Sequence, residues 1–132
     1  METKDIELID RAAQVREHAY APYSQYAVGA ALLAKSGKVY TGCNIENAVY
    51  SLTLCAERVA LFKAVSEGER QFEAIAVVTS NGGSPCGSCR QVLAEFGLHI
   101  RVLIATPEQL IAESKVIDLL PRAFGPQDLS AT

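Results

Sequence analysis

The 132-residue chain contains no tryptophan, one methionine and only two histidines, and it has no excess of basic residues. Lys and Arg number 12 against 15 Asp and Glu, which gives a formal net charge of -3 at pH 7. Nucleic acids and anionic membranes usually require a basic face on their partners. The longest apolar run, Val28–Ala34, is far shorter than the roughly 20 residues that span a bilayer. We therefore expect the chain to bind neither nucleic acid nor membranes.

The N-terminal residues Met1–Asp5 are mostly polar and form no apolar signal core. We therefore expect a cytoplasmic protein. In that reducing compartment, four cysteines are typical of metal ligands or buried thiols rather than disulfides. A length of 132 residues predicts one domain, residues 1–132, that is large enough to bury a core.

The spacing of apolar residues predicts an α/β domain. Helical spacing is found in three segments, 2–19, 54–66 and 86–96. Apolar or alternating runs of strand length are found at 28–34, 38–41, 74–79 and 100–105, and the first two would form a hairpin. The alternation of strands and helices predicts parallel pairing, with the helices packed on the sheet. Residues 117–120 fit either a short helix or an extended segment.

The most informative stretch is Ser84–Arg90, in which Cys86 and Cys89 are three positions apart. At the start of a helix these cysteines lie on one face, and the free N–H groups there stabilise thiolate charge. Alone, this spacing fits a redox dithiol as well as a metal site. Cys55, at the start of another predicted helix, supplies a third thiolate. Three protein ligands leave one zinc coordination position open for water, which is typical of catalytic zinc sites.

Glu57 follows Cys55 by two positions. In a regular helix residues two apart do not face one another, so the pair works only if Cys55 lies at the helix start. There Glu57 can act as general acid and base for a water that zinc makes acidic. Arg58 can donate hydrogen bonds to the thiolate sulfurs and offset their charge. Such a site suits attack on an electron-poor carbon that carries an amine leaving group.

Each of these residues also has a plainer interpretation. Cys43 as a fourth ligand would make a structural zinc site, although no second Cys-x-x-Cys pair is present, and a buried thiol is the favoured interpretation of Cys43. Glu57 also fits an ordinary first-turn glutamate, and Arg58 a solvated helix residue. His18 and His99 have no metal spacing with the cysteines and are interpreted as surface or structural residues.

The motifs Cys55-Ala56-Glu57 and Pro85-Cys86-Gly87-Ser88-Cys89 together resemble the zinc nucleoside and nucleobase deaminases. Further stretches are similar to the small homotetrameric cytidine deaminases, namely 21–24, 28–32, 42–48, 55–58 and 85–91. The similarity runs over residues 20–97 and, more weakly, over the tail. It implies a three-layer α/β/α sandwich with a mixed five-stranded sheet. It also implies a homotetramer with its sites near the subunit interfaces.

The resemblance implies one Zn²⁺ per chain, held by Cys55, Cys86 and Cys89. It further implies hydrolytic deamination of cytidine and 2′-deoxycytidine to the corresponding uridines, in pyrimidine salvage. Water activated by zinc would attack C4 of the base. Glu57 would protonate N3 and then carry a proton to the departing ammonia.

The resemblance also implies contacts with the nucleoside. Asn44 and Glu46 would hydrogen-bond the ribose 3′-hydroxyl, and the backbone N–H of Ala56 would contact the base carbonyl. A carboxylate beside that hydroxyl would repel a 3′-phosphate and so select free nucleosides over polynucleotides. Asn44 and Glu46 also fit simple turn and capping residues.

Four further positions are substrate-binding candidates on the same resemblance: Tyr26, Ala48, Tyr50 and Phe124. Tyr26 stands where the family usually has a phenylalanine beside the substrate, so its hydroxyl is expected to alter water content or pyrimidine tolerance. Phe124 matches a tail aromatic that reaches into a neighbouring subunit's site, and Ala48 and Tyr50 are expected to act across an interface. Tyr26 and Phe124 also fit ordinary core aromatics.

Two other functions fit the sequence. A related enzyme would act on another aminated pyrimidine, such as an antibiotic nucleoside of the blasticidin type or a base analogue. A zinc-stabilised binding or scaffold protein would have the same ligands and no turnover. The acidic balance argues against a polynucleotide deaminase, and the sequence offers no identifiable cationic contacts for a nucleotide phosphate.

Overall fold

A computed structural model describes residues 2–130 of the chain. Its strands are β1 (Gly29–Ala34), β2 (Val39–Cys43), β3 (Phe72–Val78), β4 (Arg101–Ala105) and β5 (Leu110–Lys115). Its helices are α1 (Thr3–Arg16), α2 (Ala56–Ser66), α3 (Gly87–Phe96), α4 (Val116–Leu119) and α5 (Pro126–Ser130), and a 3-10 turn spans Tyr50–Leu52. The five strands form one mixed sheet in the order β2-β1-β3-β4-β5.

Successive side chains of a strand point to opposite faces, and here both faces are apolar. The core on one face consists of alternate strand residues and of residues from α2 and α3, among them Leu32, Val77, Leu61 and Leu93. The core on the other face consists of the intervening strand residues and of α1, among them Ala31, Leu103, Leu8 and Ala12. Helices therefore cover both faces, and the predicted α/β/α arrangement with a mixed five-stranded sheet is confirmed.

The strand pairing differs in one respect from the sequence-based prediction. Strands β3 and β4 are parallel, as expected for strands joined through a helix. Strand β1, however, is antiparallel to both β2 and β3, so the parallel pairing predicted for the strands around α2 is wrong. The hairpin is the reason. The crossover through α2 leads from β2 to β3, two strands of the same direction, and β1 lies between them.

The structure shortens one predicted helix, decides one open alternative and adds one strand. Helix α1 ends at Arg16, because the N–H groups of residues 17–19 donate to carbonyls only three residues earlier, in a tighter turn. The segment that fitted either helix or strand is the short helix α4. Strand β5 has no counterpart in the apolar pattern, because it is an edge strand whose side chains are mostly exposed.

The topology brings two helix starts together. Because β2 and β3 run in the same direction, the chain leaves both strands at the same end of the sheet. Helix α2 follows β2, and helix α3 follows β3. Their N-termini therefore both lie at this end, which is where ligands bind in many open α/β sheets.

Helix α2 approaches β2 closely at Gly42. A Cβ atom on Gly42 would lie 2.6 Å from the backbone nitrogen of Ala60 and 2.8 Å from the carbonyl oxygen of Ala56. Both atoms belong to the backbone of α2 and cannot turn aside. Only glycine fits here, and it sets the distance between the strand and the helix.

We predict that Gly42→Ala lowers the free energy of unfolding by about 2 kcal/mol, because the added methyl group overpacks a rigid contact. Chemical denaturation with urea measures this change. Gly87→Ala is the matched control, since Gly87 does not have a positive φ and a Cβ there would meet nothing within 4 Å. Equal losses in the two variants would contradict the close approach of α2 and β2.

Candidate active site

Three of the four cysteines form a compact cluster. The Sγ atoms of Cys55, Cys86 and Cys89 all lie within 4.8 Å of one another, and those of Cys55 and Cys86 are 3.9 Å apart. Sulfurs bound tetrahedrally to one zinc ion at its usual bond length are about 3.8 Å apart. The three cysteines therefore fit one Zn²⁺ per chain. Cys43 is not part of the cluster, which leaves the alternative of a four-cysteine structural site without support.

Two of these cysteines lie at helix starts. Cys55 is the N-cap of α2 and Cys86 is the N-cap of α3, and both have extended backbone conformations. Cys55 therefore precedes the regular helix. Its two-residue spacing from Glu57 requires this position if both side chains are to reach one site. The positive ends of two helix dipoles point at the cluster and stabilise thiolate charge.

Arg58 adds a full positive charge beside the cluster. Its Nη2 atom lies 3.5 Å from Cys55 Sγ and 3.3 Å from the carbonyl oxygen of Thr53. A hydrogen bond with Cys89, followed by the contact with Arg58, lowers the pKa of Cys55 to about 5 although burial opposes the shift. The bond to Cys55 and burial raise the pKa of Cys89. Cysteines bind zinc as thiolates, so metal binding by this cluster releases protons.

Glu57 is a buried carboxyl group next to this cluster. Its side chain is in the first turn of α2, and the residue is only 5% exposed. Burial raises the pKa of Glu57, and the nearby thiolate of Cys55 raises it further. A carboxyl group of raised pKa exchanges protons more readily near neutral pH than an exposed one.

A cavity of about 580 Å³ opens at these residues, which is within the usual size range of small-molecule sites. Most of the site residues predicted from the sequence line it: Tyr26, Asn44, Glu46, Tyr50, Cys55, Ala56, Glu57, Arg58 and Cys86. Cys89 is fully buried and reaches the site through its sulfur. Ala48 and Phe124 are not among the lining residues.

Asn44 is buried, and its amide group is used by the chain itself. Its Oδ1 atom accepts a hydrogen bond of 2.9 Å from the N–H of Val28, and its Nδ2 atom donates one of 2.8 Å to the carbonyl of Tyr26. These bonds fix the chain just before β1. They agree with the plainer interpretation of Asn44 as a structural residue, and its contact with ribose stays a prediction.

Glu46 is likewise buried and hydrogen-bonded. Its carboxylate accepts hydrogen bonds from the Ser24 hydroxyl and from the backbone N–H groups of Tyr23 and Ser24. The Ser24 hydroxyl, with help from these N–H groups, holds the pKa of Glu46 below its usual range. Glu46 is therefore a carboxylate at neutral pH, and it places a negative charge on the cavity wall.

Similarity to known proteins shows to which family this set of cysteines and carboxylates belongs. Residues 2–106 match the family model of the cytidine and deoxycytidylate deaminase zinc-binding region. The chain belongs to this family. A cytidine deaminase of Sporosarcina psychrophila is 54% identical over 130 residues, which cover 96% of each chain. A cytidine deaminase of Halalkalibacterium halodurans is 53% identical over 126 residues, which cover 93% of this chain and 96% of the relative.

Solved structures agree with these relatives. The crystal structure of a cytidine deaminase from Burkholderia pseudomallei matches this deaminase with a TM-score of 0.87 at 47% identity, and covers 94% of this chain and 100% of that one. The cytidine deaminase from Mycobacterium tuberculosis matches with a TM-score of 0.82 at 42% identity. The resemblance found in the sequence is thus confirmed, and with it a zinc-dependent hydrolytic enzyme. No helix among residues 2–130 is long and apolar enough to cross a membrane.

Several lining residues of the deaminase site were missed in the sequence: Ser24, Ser51, Thr53, Thr79, Gly83, Ser84 and Ser88. Ser24 and Ser88 lie inside stretches that resemble the family, and that was the one available signal. The others are single small or hydroxyl residues in loops, where no spacing distinguishes a site residue from a turn residue.

Phe124 is not brought to the cavity of its own chain. Its side chain is 58% exposed, it borders a separate cavity with Gly97 and Pro126, and its carbonyl accepts a 2.7 Å hydrogen bond from Gln91. The interpretation of Phe124 as a core aromatic is therefore wrong. Its role in a neighbouring subunit's site stays a prediction.

We predict that replacing Cys55, Cys86 or Cys89 by serine weakens zinc binding at least about tenfold, because each change removes one of three thiolate ligands. Elemental analysis after dialysis against a weak chelator measures zinc per chain. Cys43→Ser is the matched control and should retain the zinc content of the unchanged protein. Loss of zinc from Cys43→Ser would instead support the interpretation of a structural site with four cysteine ligands.

Proposed function

We propose that this deaminase hydrolyses cytidine and 2′-deoxycytidine to uridine and 2′-deoxyuridine, with release of ammonia, in pyrimidine salvage. The observation that carries the proposal is the three-cysteine cluster next to the buried carboxyl group of Glu57, in a cavity of nucleoside size. The relatives at 54% and 53% identity are named cytidine deaminases, which supports the same substrate.

Bound zinc would supply the positive charge that makes a water molecule acidic near neutral pH. Glu57 would accept the proton that this water loses, because the carboxyl group lines the cavity beside the cysteines. Glu57 would then deliver that proton to N3 of the base while the water oxygen forms a bond to C4. A second proton passes from the oxygen to the amino group through Glu57, and the C4–N bond breaks as ammonia leaves.

Arg58 would balance the charge of the site. Three thiolates and one dication leave a net negative charge, which disfavours the loss of a proton from water. The guanidinium contact with Cys55 and the positive ends of α2 and α3 reduce this effect. We propose this supporting role for Arg58 instead of the plainer interpretation as a solvated helix residue.

Asn44 and Glu46 would meet the ribose 3′-hydroxyl, as both line the cavity. A carboxylate has about four acceptor positions, so Glu46 can accept another hydrogen bond beyond those from Tyr23 and Ser24. Its negative charge would repel a 3′-phosphate. The N–H of Ala56, in the first turn of α2, has no helical partner and is free to contact the base carbonyl.

We also propose a homotetramer with its sites near the subunit interfaces. Tyr50 and Phe124 are 62% and 58% exposed, and large apolar side chains of this kind gain stability when an interface buries them. In that assembly Ala48 and Tyr50 would act across an interface, and Phe124 would reach a neighbouring site. A cytoplasmic location and a single domain over residues 1–132 remain predictions.

We predict that Glu57→Gln retains zinc and fold but lowers kcat for cytidine at least about a hundredfold, because the amide cannot transfer the proton. Ultraviolet absorbance follows the turnover, and elemental analysis follows the zinc. Glu73→Gln, which changes an exposed residue near the start of β3, is the control and should keep full activity. Normal turnover by Glu57→Gln would remove this residue from the mechanism.

The ribose contact has its own test in Glu46→Gln, which keeps the shape of the side chain and removes its charge. We predict a loss of about tenfold in kcat/KM for cytidine and 2′-deoxycytidine, since a hydrogen bond to a charged group is lost. 2′,3′-Dideoxycytidine lacks the hydroxyl and should be much less affected. An equal loss on all three substrates would show that Glu46 acts only through the turn at Tyr23 and Ser24.

A further inference from the structure

The hydroxyl of Tyr26 connects two loops that border the cavity. It donates a 2.7 Å hydrogen bond to Oδ1 of Asn81, which is 55 positions further along the chain. Tyr26 precedes β1, and Asn81 follows β3. These loops meet because Gly29 and Val78 are paired at the shared end of the two antiparallel strands.

Asn81 is in turn tied to the end of β3. Its Oδ1 atom accepts a second hydrogen bond, of 3.3 Å, from the hydroxyl of Thr79, which is only 2% exposed. The same Thr79 hydroxyl accepts a 2.9 Å hydrogen bond from the N–H of Gly83. The hydroxyl of Tyr26 is thus part of a hydrogen-bond network that runs from a buried side chain to the middle of the loop.

Gly83 packs directly against the hydroxyl of Tyr26. A Cβ atom on Gly83 would collide with that oxygen and would lie 3.4 Å from Oδ1 of Asn81. Tyr26, Thr79 and Gly83 all line the cavity, as does Cys86, to which this loop leads. The hydrogen bond of Tyr26 therefore acts on a wall of the substrate cavity.

We propose that Tyr26 is a positioning residue whose hydroxyl, through Asn81, holds the loop 79–84 in place as a preformed wall for the nucleoside. The inference rests on the proposed function for the identity of that substrate. The loop contains Gly82 and Gly83, and glycines lose the most conformational freedom when they are ordered. A loop that is ordered before binding lowers the entropic cost of binding, so the effect falls on KM more than on kcat.

The first test removes each partner of the bond. Tyr26→Phe should raise KM for cytidine about fivefold, the effect of one neutral hydrogen bond, with kcat within about twofold. Asn81→Leu removes the bond from Thr79 as well and should raise KM at least as much. The double variant should raise KM no more than Asn81→Leu alone, because that change already removes the bond from Tyr26. Zinc per chain should stay unchanged. An unchanged KM in Tyr26→Phe, or fully additive effects, would overturn the proposal.

Gly83→Ala breaks the bond while both partners remain. The added methyl group displaces the Tyr26 hydroxyl, and Gly83 does not have the positive φ of Gly82, so alanine brings no backbone strain. We expect the same rise in KM as in Tyr26→Phe. The matched control is Tyr40→Phe, which also removes a phenol hydrogen bond, the 2.9 Å bond to Glu69 beyond the C-terminus of α2. It should lower stability and leave KM unchanged.

Hydrogen exchange supplies a readout that does not depend on the substrate. In Tyr26→Phe the N–H of Gly83 and its neighbours in the loop 79–84 should exchange several-fold faster, while exchange in β1 and β3 stays as before. Unchanged exchange in the loop would overturn the proposal. If the unchanged protein does not turn over cytidine, the proposed function fails, and the exchange rates alone decide whether Tyr26 orders the loop.

Discussion

The sulfurs of Cys55, Cys86 and Cys89 can meet only if α2 and α3 begin at the same point. Each of the first two cysteines caps one of these helices, so the meeting requires β2 and β3 to run in the same direction and to end at one side of the sheet. The hairpin of β1 and β2 satisfies this condition, because it returns the chain before the crossover to β3. The close approach at Gly42 then fixes α2 against the sheet.

The common starting point of α2 and α3 also brings several negatively charged groups close together. Thiolates at the cluster lie beside the buried carboxyl group of Glu57, and Glu46 adds a second carboxylate to the cavity wall. The two helix N-termini and Arg58 offset part of this charge. The two buried carboxyl groups differ in their pKa: burial raises the pKa of Glu57, whereas hydrogen bonds from Ser24 lower that of Glu46. One is suited to exchange protons, and the other to stay charged.

Much of this could be predicted from the sequence, because ligand spacing and helix starts are local features. The pairs Cys86–Cys89 and Cys55–Glu57 each lie within four residues, and the parallel pair β3 and β4 follows from the helix between them. The antiparallel pairing of β1 with β3 could not be predicted. The crossover through α2 can place β3 beside either strand of the hairpin, β1 or β2, and no local pattern shows which. The contacts of Glu46 with Ser24 and of Tyr26 with Asn81 join residues 22 and 55 positions apart. No local pattern marks such partners.

The most direct test of the account measures cytidine turnover and zinc content in the same preparation. We expect about one zinc per chain, equal amounts of uridine and ammonia, loss of turnover when a chelator removes the metal, and recovery when zinc is restored. A protein that holds one zinc per chain and releases no ammonia from cytidine or 2′-deoxycytidine would contradict the central claim. The three cysteines would then hold zinc without this catalytic function.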